Sequence, residues 1–263
     1  MADSAPLAGR CIVVTRPAQQ AGALLEALGA AGAAPLFFPV IEIAPLIDVS
    51  PLHALTEALD EYDFAFFVSA NAVEQALAVI PRERWPATLR IVTVGPGSAR
   101  TLHAHGFDEV MLPATQFDSE GVLALSAMQT EFVAGKRVLI LRGDGGRELL
   151  ACTLAERGAR VDVLSCYRRQ RADSDASALL ARFAAGGLDA ISFTSSEGAR
   201  NFVDIVEQSQ GGAGKARSMF AALPCFVPHS RIATCLQGLG AQNIVLTPAG
   251  DASLIESLGH YFS

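Results

Sequence analysis

The strongest constraint on the fold is the regular alternation of short apolar runs with longer segments of helical period. AGALLEALGA and ELLACTLAERG are examples of the helical segments. The apolar runs are typical of parallel strands that are buried on both faces. They lie at residues 11–15, 36–40, 64–68, 91–94, 109–112, 137–141, 160–164, 190–193, 224–227 and 243–246. The pattern predicts an α/β protein, and because ten strands exceed one typical sheet, it favours two five-stranded, mostly parallel sheets flanked by helices.

The two halves of the chain resemble each other at a fixed spacing. A shift of 126 residues aligns Arg16 with Arg142, Leu24 with Leu150, Phe67 with Phe193 and Ser69 with Ser195. Further along the chain, a shift of 134 residues aligns Ala99 with Ala233, Leu102 with Leu236 and Gly106 with Gly240. The additional positions fit the glycine-rich segment QGGAGKARS (210–218). Two long stretches that each keep one shift predict an internal duplication.

Charge and hydropathy exclude several classes of protein. The formal net charge of −7 argues against general nucleic-acid binding. No apolar run reaches the roughly 18–20 residues that span a bilayer, so no membrane association is expected. The first ten residues, MADSAPLAGR, lack the apolar core of a signal peptide. We therefore expect a soluble, cytoplasmic protein.

Cysteine and histidine give no sign of a metal site. The five cysteines form no C-x-x-C pair, and the five histidines have no carboxylate or cysteine at metal-ligand spacing. We expect the cysteines to be small buried hydrophobes in a reducing compartment, with a catalytic thiol as the alternative. Eighteen of the 20 basic residues are arginine. This excess fits either the binding of carboxylates and phosphates or a codon bias.

Hydroxyl side chains follow the strands at two equivalent points of the repeat. FTSSEGARNF (193–202) places Thr194, Ser195 and Ser196 between a strand and a helix, and FVSANAVEQA (67–76) does the same with Ser69. One hydroxyl is enough to cap a helix, which is the plain structural interpretation. Additional hydroxyls at the carboxyl end of a parallel strand also favour an anion site, because the first-turn amides of the helix are free there.

Four more strand-to-helix turns offer small residues, and three of them add arginine. They are TRPAQQ (15–20), VGPGSA (94–99), RGDGGR (142–147) and VPHSRI (227–232). RGDGGR matches neither nucleotide-binding glycine motif, so a tight turn with an acidic residue near the helix start is its plain interpretation. A nucleotide-using α/β enzyme is a rival hypothesis, but no phosphate loop or acidic ribose contact follows the first strand in standard form.

With these turns in order, the chain resembles the uroporphyrinogen-III synthase family over nearly its whole length. The stretches that carry the resemblance are VTRPAQQAGALLEALGAAGA with PVIEIAPL, VSANAVE, VGPGSARTLHAHGF, SEGVLAL, LRGDGGRELLACTLAERGARVDVLSCYRR, FTSSEGARNF and HSRIATCLQGLGAQNIV. The TRP start, the RGDGGR turn and the late tyrosine–arginine pair weigh most. No single motif is diagnostic, so the order of all of them makes the case.

The resemblance implies two flavodoxin-like α/β domains that are joined by a two-stranded hinge, with the active site in a cleft. Residues 1–40 would pack with 171–263 as a discontinuous domain, and residues 45–165 would form the other. The crossing linkers would be 39–46 and 163–172. Composition alone would instead divide the chain once, near residue 133, into two sequential halves.

The resemblance also implies the chemistry. The family cyclises hydroxymethylbilane, a linear tetrapyrrole with eight carboxylates, to uroporphyrinogen III with loss of water and inversion of the terminal pyrrole ring. It uses no metal or organic cofactor. The unaided substrate closes to the uninverted isomer, so much of the task is to hold a flexible chain in one geometry. We expect a monomer that takes this small molecule as its partner, with a possible transient contact to the preceding enzyme of the pathway.

Eleven residues are candidates for the site that the resemblance implies. Tyr167, in the stretch Tyr167-Arg168-Arg169, would donate a hydrogen bond or proton to the leaving hydroxyl, or would only pack at the hinge. Arg16 and Arg142 would hold carboxylates as planar forks. The remaining candidates would bind carboxylates through hydroxyls and backbone amides, with helix caps or surface residues as the plain alternative: Ser69, Gly97, Ser98, Thr194, Ser195, Ser196, His229 and Ser230.

A protein of another class would share many of these features. A two-lobed binding or sensor protein that closes around a small anion would also have two α/β lobes and crossing strands. The absence of a recognisable signal peptide counts against an exported binder. Because the substrate closes to a different isomer without the enzyme, the isomer that forms in the presence of this chain separates the two hypotheses.

Overall fold

A computed structural model describes residues 5–145 and 147–263. Residues 1–4, the first part of the polar segment MADSAPLAGR, lie outside the described residues, and so does Gly146 of the RGDGGR turn. Contacts between Cα atoms group the chain into two compact units. The first unit comprises the chain up to Glu42 together with Gln170–Ser263, and the second is Ile43–Arg169.

Strands and helices alternate along both units. The strands are β1 Ile12–Val14, β2 Leu36–Phe37, β3 Ile41–Pro45, β4 Phe64–Phe67, β5 Arg90–Thr93, β6 Val110–Met111, β7 Arg137–Gly143, β8 Arg160–Arg171, β9 Ala190–Ser192, β10 Cys225–Val227 and β11 Ile244–Leu246. The helices are α1 Ala18–Ala30, α2 Ser50–Thr56, α3 Ala70–Val79, α4 Pro96–Ala104, α5 Ser119–Leu123, α6 Thr130–Val133, α7 Leu149–Glu156, α8 Ser177–Ala184, α9 Ser196–Gln208, α10 Lys215–Ala222, α11 Ser230–Gly238 and α12 Asp251–Phe262. In the described chain, no helix is both long enough and apolar enough to cross a membrane.

The first unit is built on a five-stranded parallel sheet. Its spatial order is β2-β1-β9-β10-β11, in which β1 pairs with both β2 and β9. Numbered along the unit alone, this is the order 2-1-3-4-5 of flavodoxin-like proteins. The strands β1, β9 and β10 are fully buried, as their continuous apolar runs predict for strands covered by helices on both faces.

The second sheet has six strands, where the sequence predicts five. Its order is β3-β8-β7-β4-β5-β6, and the pairs from β8 to β6 are all parallel. The additional strand is β3, which the sequence analysis treats as part of an extended linker. It joins the sheet because β8 extends over 12 residues, well beyond the predicted run, and offers an edge for β3 to pair with. The predicted α/β class with two mostly parallel sheets is confirmed.

The strand order of the two sheets matches once the repeat is taken into account. The spacings of the repeat align β1 with β7, β2 with β8, β4 with β9, β5 with β10 and β6 with β11. When the strands are matched in these pairs, both sheets have the same spatial order, and β3 is added beside β8 at one side of the second sheet. The two units differ in the order in which the chain forms these strands. Along the chain, β7 and β8 follow the other strands of their sheet, whereas β1 and β2 precede the other strands of theirs. The glycine-rich segment 210–218 runs into α10 at Lys215.

A cluster of aromatic side chains forms part of the core of the first unit. Phe202 of α9 is fully buried, and its ring lies edge-on to Phe38 and Phe193 at centroid distances of 5.7 and 5.5 Å. Phe220 of α10 stacks on it at 5.5 Å. These contacts join α9 and α10 to the sheet, so that the start of α9 is held at the end of β9.

We expect Phe202→Ala to lower the free energy of unfolding by about 3–5 kcal/mol, because it leaves a cavity among three other rings. Urea denaturation followed by circular dichroism measures this loss. The control is Phe132→Ala, whose side chain is half exposed, and it should change the stability by less than about 0.5 kcal/mol. Equal stabilities of the two variants would contradict this view of the core.

Candidate functional site

The carboxyl ends of the first sheet surround a cavity of about 240 Å³. Arg16 follows β1, Thr194 follows β9 and His229 follows β10, and all three line this cavity. Thr247 and Gly250, from the segment between β11 and α12, also line it, and apolar side chains such as Phe226 and Leu254 form the rest of the wall. The structure thus brings together three of the predicted residues of the first unit, at the edge where open α/β sheets bind ligands.

Arg16 is held by a carboxylate of its own unit. Its Nη1 donates to Asp251 Oδ1 at 2.5 Å, and Asp251 is the first residue of α12. The Arg16 side chain is only 16% exposed, and its Nε is buried without a hydrogen-bond partner among the described residues. The Arg16 guanidinium, predicted to bind a carboxylate, therefore lies in the cavity wall, and its Nε–H makes no hydrogen bond within the described residues.

The three hydroxyls of FTSSEGARNF have different surroundings. Ser195 caps α9, because its Oγ accepts the backbone N–H of Gly198 at 2.9 Å. The Ser196 hydroxyl donates to the carbonyl of Arg231 at 3.4 Å. Thr194 is exposed and lines the cavity. The plain capping interpretation therefore accounts for Ser195 and leaves Thr194 as the hydroxyl at the cavity.

The start of α11 differs from that of α9. His229 is the N-cap residue, and within the described chain no side chain caps this helix. His229 and Ser230 are both exposed. The helix thus begins with first-turn amides and a positive dipole end beside the cavity, an arrangement that favours an anion.

Ser69 has two partners at the corresponding end of β4. Its Oγ accepts the backbone N–H of Ala72 at 3.1 Å and so caps α3, and it lies 3.2 Å from the hydroxyl of Tyr167. In α4, which follows β5, Gly97 is exposed while Ser98 is buried. The Ser98 side chain therefore lies on the packed face of its helix.

Tyr167 owes its place to a glycine on the neighbouring strand. The register between β7 and β8 shifts after Arg142, which pairs Gly143 with Tyr167. A Cβ atom on Gly143 would lie 2.5 Å from the Tyr167 ring, far closer than real contacts allow. The Tyr167 ring is buried against this backbone, and its hydroxyl reaches Ser69. The phenol is thus held in one position by strand pairing, by a glycine and by a helix cap.

A second cavity, of about 230 Å³, lies at the carboxyl ends of the second sheet. Its apolar wall is formed by Val68, Val94, Ile140, Leu150 and Ala151. Its polar rim is formed by Asp118, Ser119, Arg142 and Arg147.

Both arginines of this rim contact carboxylates. Arg142 donates to Glu148 at 2.6 Å, and Arg147 makes a two-bond contact with Glu120 at 2.8 and 3.2 Å. The hydrogen bond from Arg147 is the main reason that the pKa of Glu120 lies below its ordinary value, so Glu120 is an anion at neutral pH.

Arg147, Asp118 and Ser119 are absent from the predicted site. Arg147 is the second arginine of RGDGGR, and Ser119 begins SEGVLAL, so both belong to stretches that carry the family resemblance. Their shared place on one rim follows from the ends of three strands meeting at one edge. A search for charged residues after every predicted strand would have found Arg147.

Comparison with known proteins decides the family. A sequence model described as Uroporphyrinogen-III synthase HemD matches residues 22–253. The chain belongs to the uroporphyrinogen-III synthase family. The predicted enzyme class, a cyclising lyase of porphyrin biosynthesis, is confirmed with the family, and the alternative of a binding or sensor protein is not favoured.

Individual members of the uroporphyrinogen-III synthase family are similar over much of the chain. The uroporphyrinogen-III synthase of Salmonella typhimurium is 37% identical over 189 residues, covering 71% of this chain and 76% of that protein. That of Synechococcus elongatus is 32% identical over 239 residues, covering 89% of each. A mutant uroporphyrinogen III synthase from Thermus thermophilus has a similar structure, with a TM-score of 0.59 at 17% identity over 95% of this chain and 98% of that chain. At that identity, the structural likeness supports the fold.

The cysteines of this uroporphyrinogen-III synthase family member give no support to a catalytic thiol in its core. Burial raises the pKa of the Cys166 and Cys225 thiols to about 12, so neither is a thiolate at neutral pH. Cys11 is buried as well, whereas Cys152 is exposed and Cys235 is half-buried, so the expectation of buried cysteines is wrong for these two. Among the residues that the structure describes, no group of three histidine, cysteine or acidic side chains could hold a metal ion.

The paired caps allow a matched test of the Ser69–Tyr167 contact. Ser195→Ala removes a helix cap alone and should lower the free energy of unfolding by about 1 kcal/mol. Ser69→Ala removes an equivalent cap together with the partner of a buried phenol, so we expect it to cost about 1 kcal/mol more. Urea denaturation of both variants gives the difference. Equal losses would mean that the Ser69–Tyr167 contact contributes nothing to stability.

Proposed function

We propose that this chain converts hydroxymethylbilane to uroporphyrinogen III with loss of water and inversion of the terminal pyrrole ring. The observation that carries this proposal is the family match over residues 22–253. The sites at the carboxyl ends of the two sheets support it, because each offers groups that bind carboxylates. Eight carboxylates on one flexible substrate call for many such groups rather than one strong charge.

Amides and hydroxyls at helix starts bind most of the carboxylates in this proposal. In the second unit they belong to Ser69, Gly97 and Ser98, at the starts of α3 and α4. In the first unit they belong to Thr194, Ser195, Ser196, His229 and Ser230, at the starts of α9 and α11. Ser98, whose side chain is buried, contributes its backbone only. The positive end of each helix dipole favours the bound anion.

Arg16 and Arg142 bind carboxylates by exchange. Each already holds a carboxylate of its own unit, Asp251 in one case and Glu148 in the other. An incoming substrate carboxylate takes the place of the internal one and finds a planar donor pair at the correct spacing. This exchange keeps each guanidinium paired whether or not substrate is bound.

Tyr167 is the proton donor of the proposed mechanism. Its phenol gives a proton to the hydroxyl of the substrate as the C–O bond breaks, water leaves, and an azafulvene cation remains. The terminal pyrrole then attacks through its substituted carbon and forms a spiro intermediate. This intermediate fragments and recloses with the ring turned over, and the proton lost at closure restores the phenol. Ser69, 3.2 Å from the phenol oxygen, orients it.

We also infer that the protein works as a monomer in the cytoplasm. Because the linear tetrapyrrole closes to the wrong isomer in solution, it must pass quickly from the enzyme that supplies it to this chain. We therefore propose a transient contact between the two proteins. Light scattering of the purified chain, alone and mixed with that enzyme, tests both statements. A stable dimer of this chain would contradict the first statement. Scattering of the mixture equal to the sum of the two separate proteins would contradict the second.

Incubation with hydroxymethylbilane tests the activity itself. We expect the inverted isomer to dominate when the chain is present, and the uninverted isomer to form when it is absent. Oxidation of the products to porphyrins and chromatographic separation of the isomers gives the ratio. An isomer ratio equal to that of the protein-free reaction would overturn the proposed function.

We expect Tyr167→Phe to lower kcat by about 100-fold, because it removes the proton donor, while thermal unfolding stays close to that of the wild type. The matched control is Tyr62→Phe. Tyr62 precedes β4 and so lies at the amino ends of the strands of the same sheet, away from Tyr167. Its hydroxyl donates to Asp162. This control should keep wild-type turnover. Wild-type turnover in a folded Tyr167→Phe protein would end the assignment of Tyr167 as the acid.

A further inference from the structure

The cavity of the second unit has a different chemical character from its counterpart in the first. Both cavities are lined by positions that the repeat aligns: Arg142 with Arg16, Val68 with Thr194, and Val94 with Pro228. The first-unit cavity adds His229 and Thr247 together with the rings of Phe193 and Phe226. The second-unit cavity adds the aliphatic side chains of Ile140, Leu150 and Ala151. The first-unit cavity thus has a mixed lining, whereas the second-unit cavity has a mainly apolar floor under a charged rim.

The size of the second-unit cavity limits what it can hold. Pockets for whole small-molecule ligands usually measure roughly 300–1,000 Å³. A cavity of about 230 Å³ accommodates one substituted ring, and a complete linear tetrapyrrole is far too large for it. Because eight carboxylates are shared among four pyrrole rings, each ring of the substrate is a flat apolar body with two anionic side chains.

The charges on the rim match such a ring. Arg142 and Arg147 provide two guanidinium groups at the cavity, and among the described residues that line it Asp118 provides one carboxylate. Each arginine binds a carboxylate at this rim already: Arg142 contacts Glu148, and Arg147 contacts Glu120. The side chains of Glu148 and Glu120 are 63% and 43% exposed, so solvent and ligands can reach both carboxylates. The Arg147–Glu120 pair is exposed on both sides, and such pairs contribute little to stability. Substrate carboxylates can therefore replace them at low cost.

We propose that this cavity is the subsite for one pyrrole ring of hydroxymethylbilane, with Arg147 and Arg142 exchanging Glu120 and Glu148 for the two carboxylates of that ring. The apolar floor receives the face of the ring. Gly143 follows Arg142 in β7 and contacts the Tyr167 ring, so the bound pyrrole is anchored close to the phenol. The subsite thereby fixes part of the flexible substrate before water leaves. This assignment rests on the proposed function for the identity of the substrate.

Three substitutions test the subsite by steady-state kinetics. Ala151→Phe fills the cavity and should raise KM about tenfold or more. Arg147→Gln removes an exposed guanidinium and should raise KM about tenfold, whereas Glu120→Gln removes the competing carboxylate and should lower KM by about twofold to fivefold. The matched control is Ala155→Phe, one turn further along α7 at an exposed position, which should leave KM unchanged. If Ala151→Phe does not fold, the opposite signs of the two rim variants decide.

A binding measurement separates this proposal from the proposed function. The probe is pyrrole-3,4-diacetate, and 3,4-dimethylpyrrole is the uncharged comparison. Methyl NMR of the wild-type chain should show shifts at Val68, Val94, Ile140 and Leu150 with the diacetate, and these shifts should disappear in Ala151→Phe. Such shifts would support the subsite even if the chain produced only the spontaneous isomer, a result that would overturn the function alone. Unchanged KM in Ala151→Phe and Arg147→Gln, or methyl shifts confined to other residues, would overturn the subsite.

Discussion

The pairing of β7 with β8 determines the geometry on which the catalytic proposal depends. The shift in register after Arg142 places Gly143 opposite Tyr167, and the absence of a side chain on Gly143 lets the aromatic ring lie against the backbone. From there the phenol reaches Ser69, which also caps α3. Strand, ring and helix start are thus fixed together, so a change in any one of them moves the hydroxyl.

The same principle operates on a larger scale in both units. Parallel pairing puts the carboxyl ends of all strands of a sheet at one edge, and the helix that follows each strand begins there. Each unit therefore has a row of first-turn amides, hydroxyls and arginines without any dedicated binding domain. The repeat accounts for the shared order of the two rows, and the aligned positions Val68 and Thr194 give the two cavities different linings.

Much of this architecture can be predicted from the sequence because buried parallel strands produce continuous apolar runs. All ten predicted strands are present, and Ser69 and Ser195 cap helices as their places after the strands indicate. The membership of β3 in a sheet could not be predicted, since it depends on how far β8 extends beyond its apolar run. The crossed order of the units follows from the family resemblance, because composition alone favours two sequential halves.

Contacts between residues that are far apart along the chain could not be predicted from the sequence. Arg16 meets Asp251, 235 positions away, and the close approach of Tyr167 to Gly143 depends on a register shift that no local pattern encodes. The cavity of the second unit needs the ends of three strands to meet, so the shared place of Arg147 with Asp118 and Ser119 on its rim depends on the fold. These are tertiary effects, which propensity and periodicity do not carry.

The central claim is that helix starts at the carboxyl edges of both sheets hold the carboxylates of one molecule. Hydrogen exchange of backbone amides, with and without uroporphyrinogen III under anaerobic conditions, tests it most directly. The account predicts slower exchange at the first turns of α3 and α4 in the second unit and of α9 and α11 in the first, with no change at the amino ends of the strands. Protection in one unit only, or protection confined to the amino ends, would contradict it.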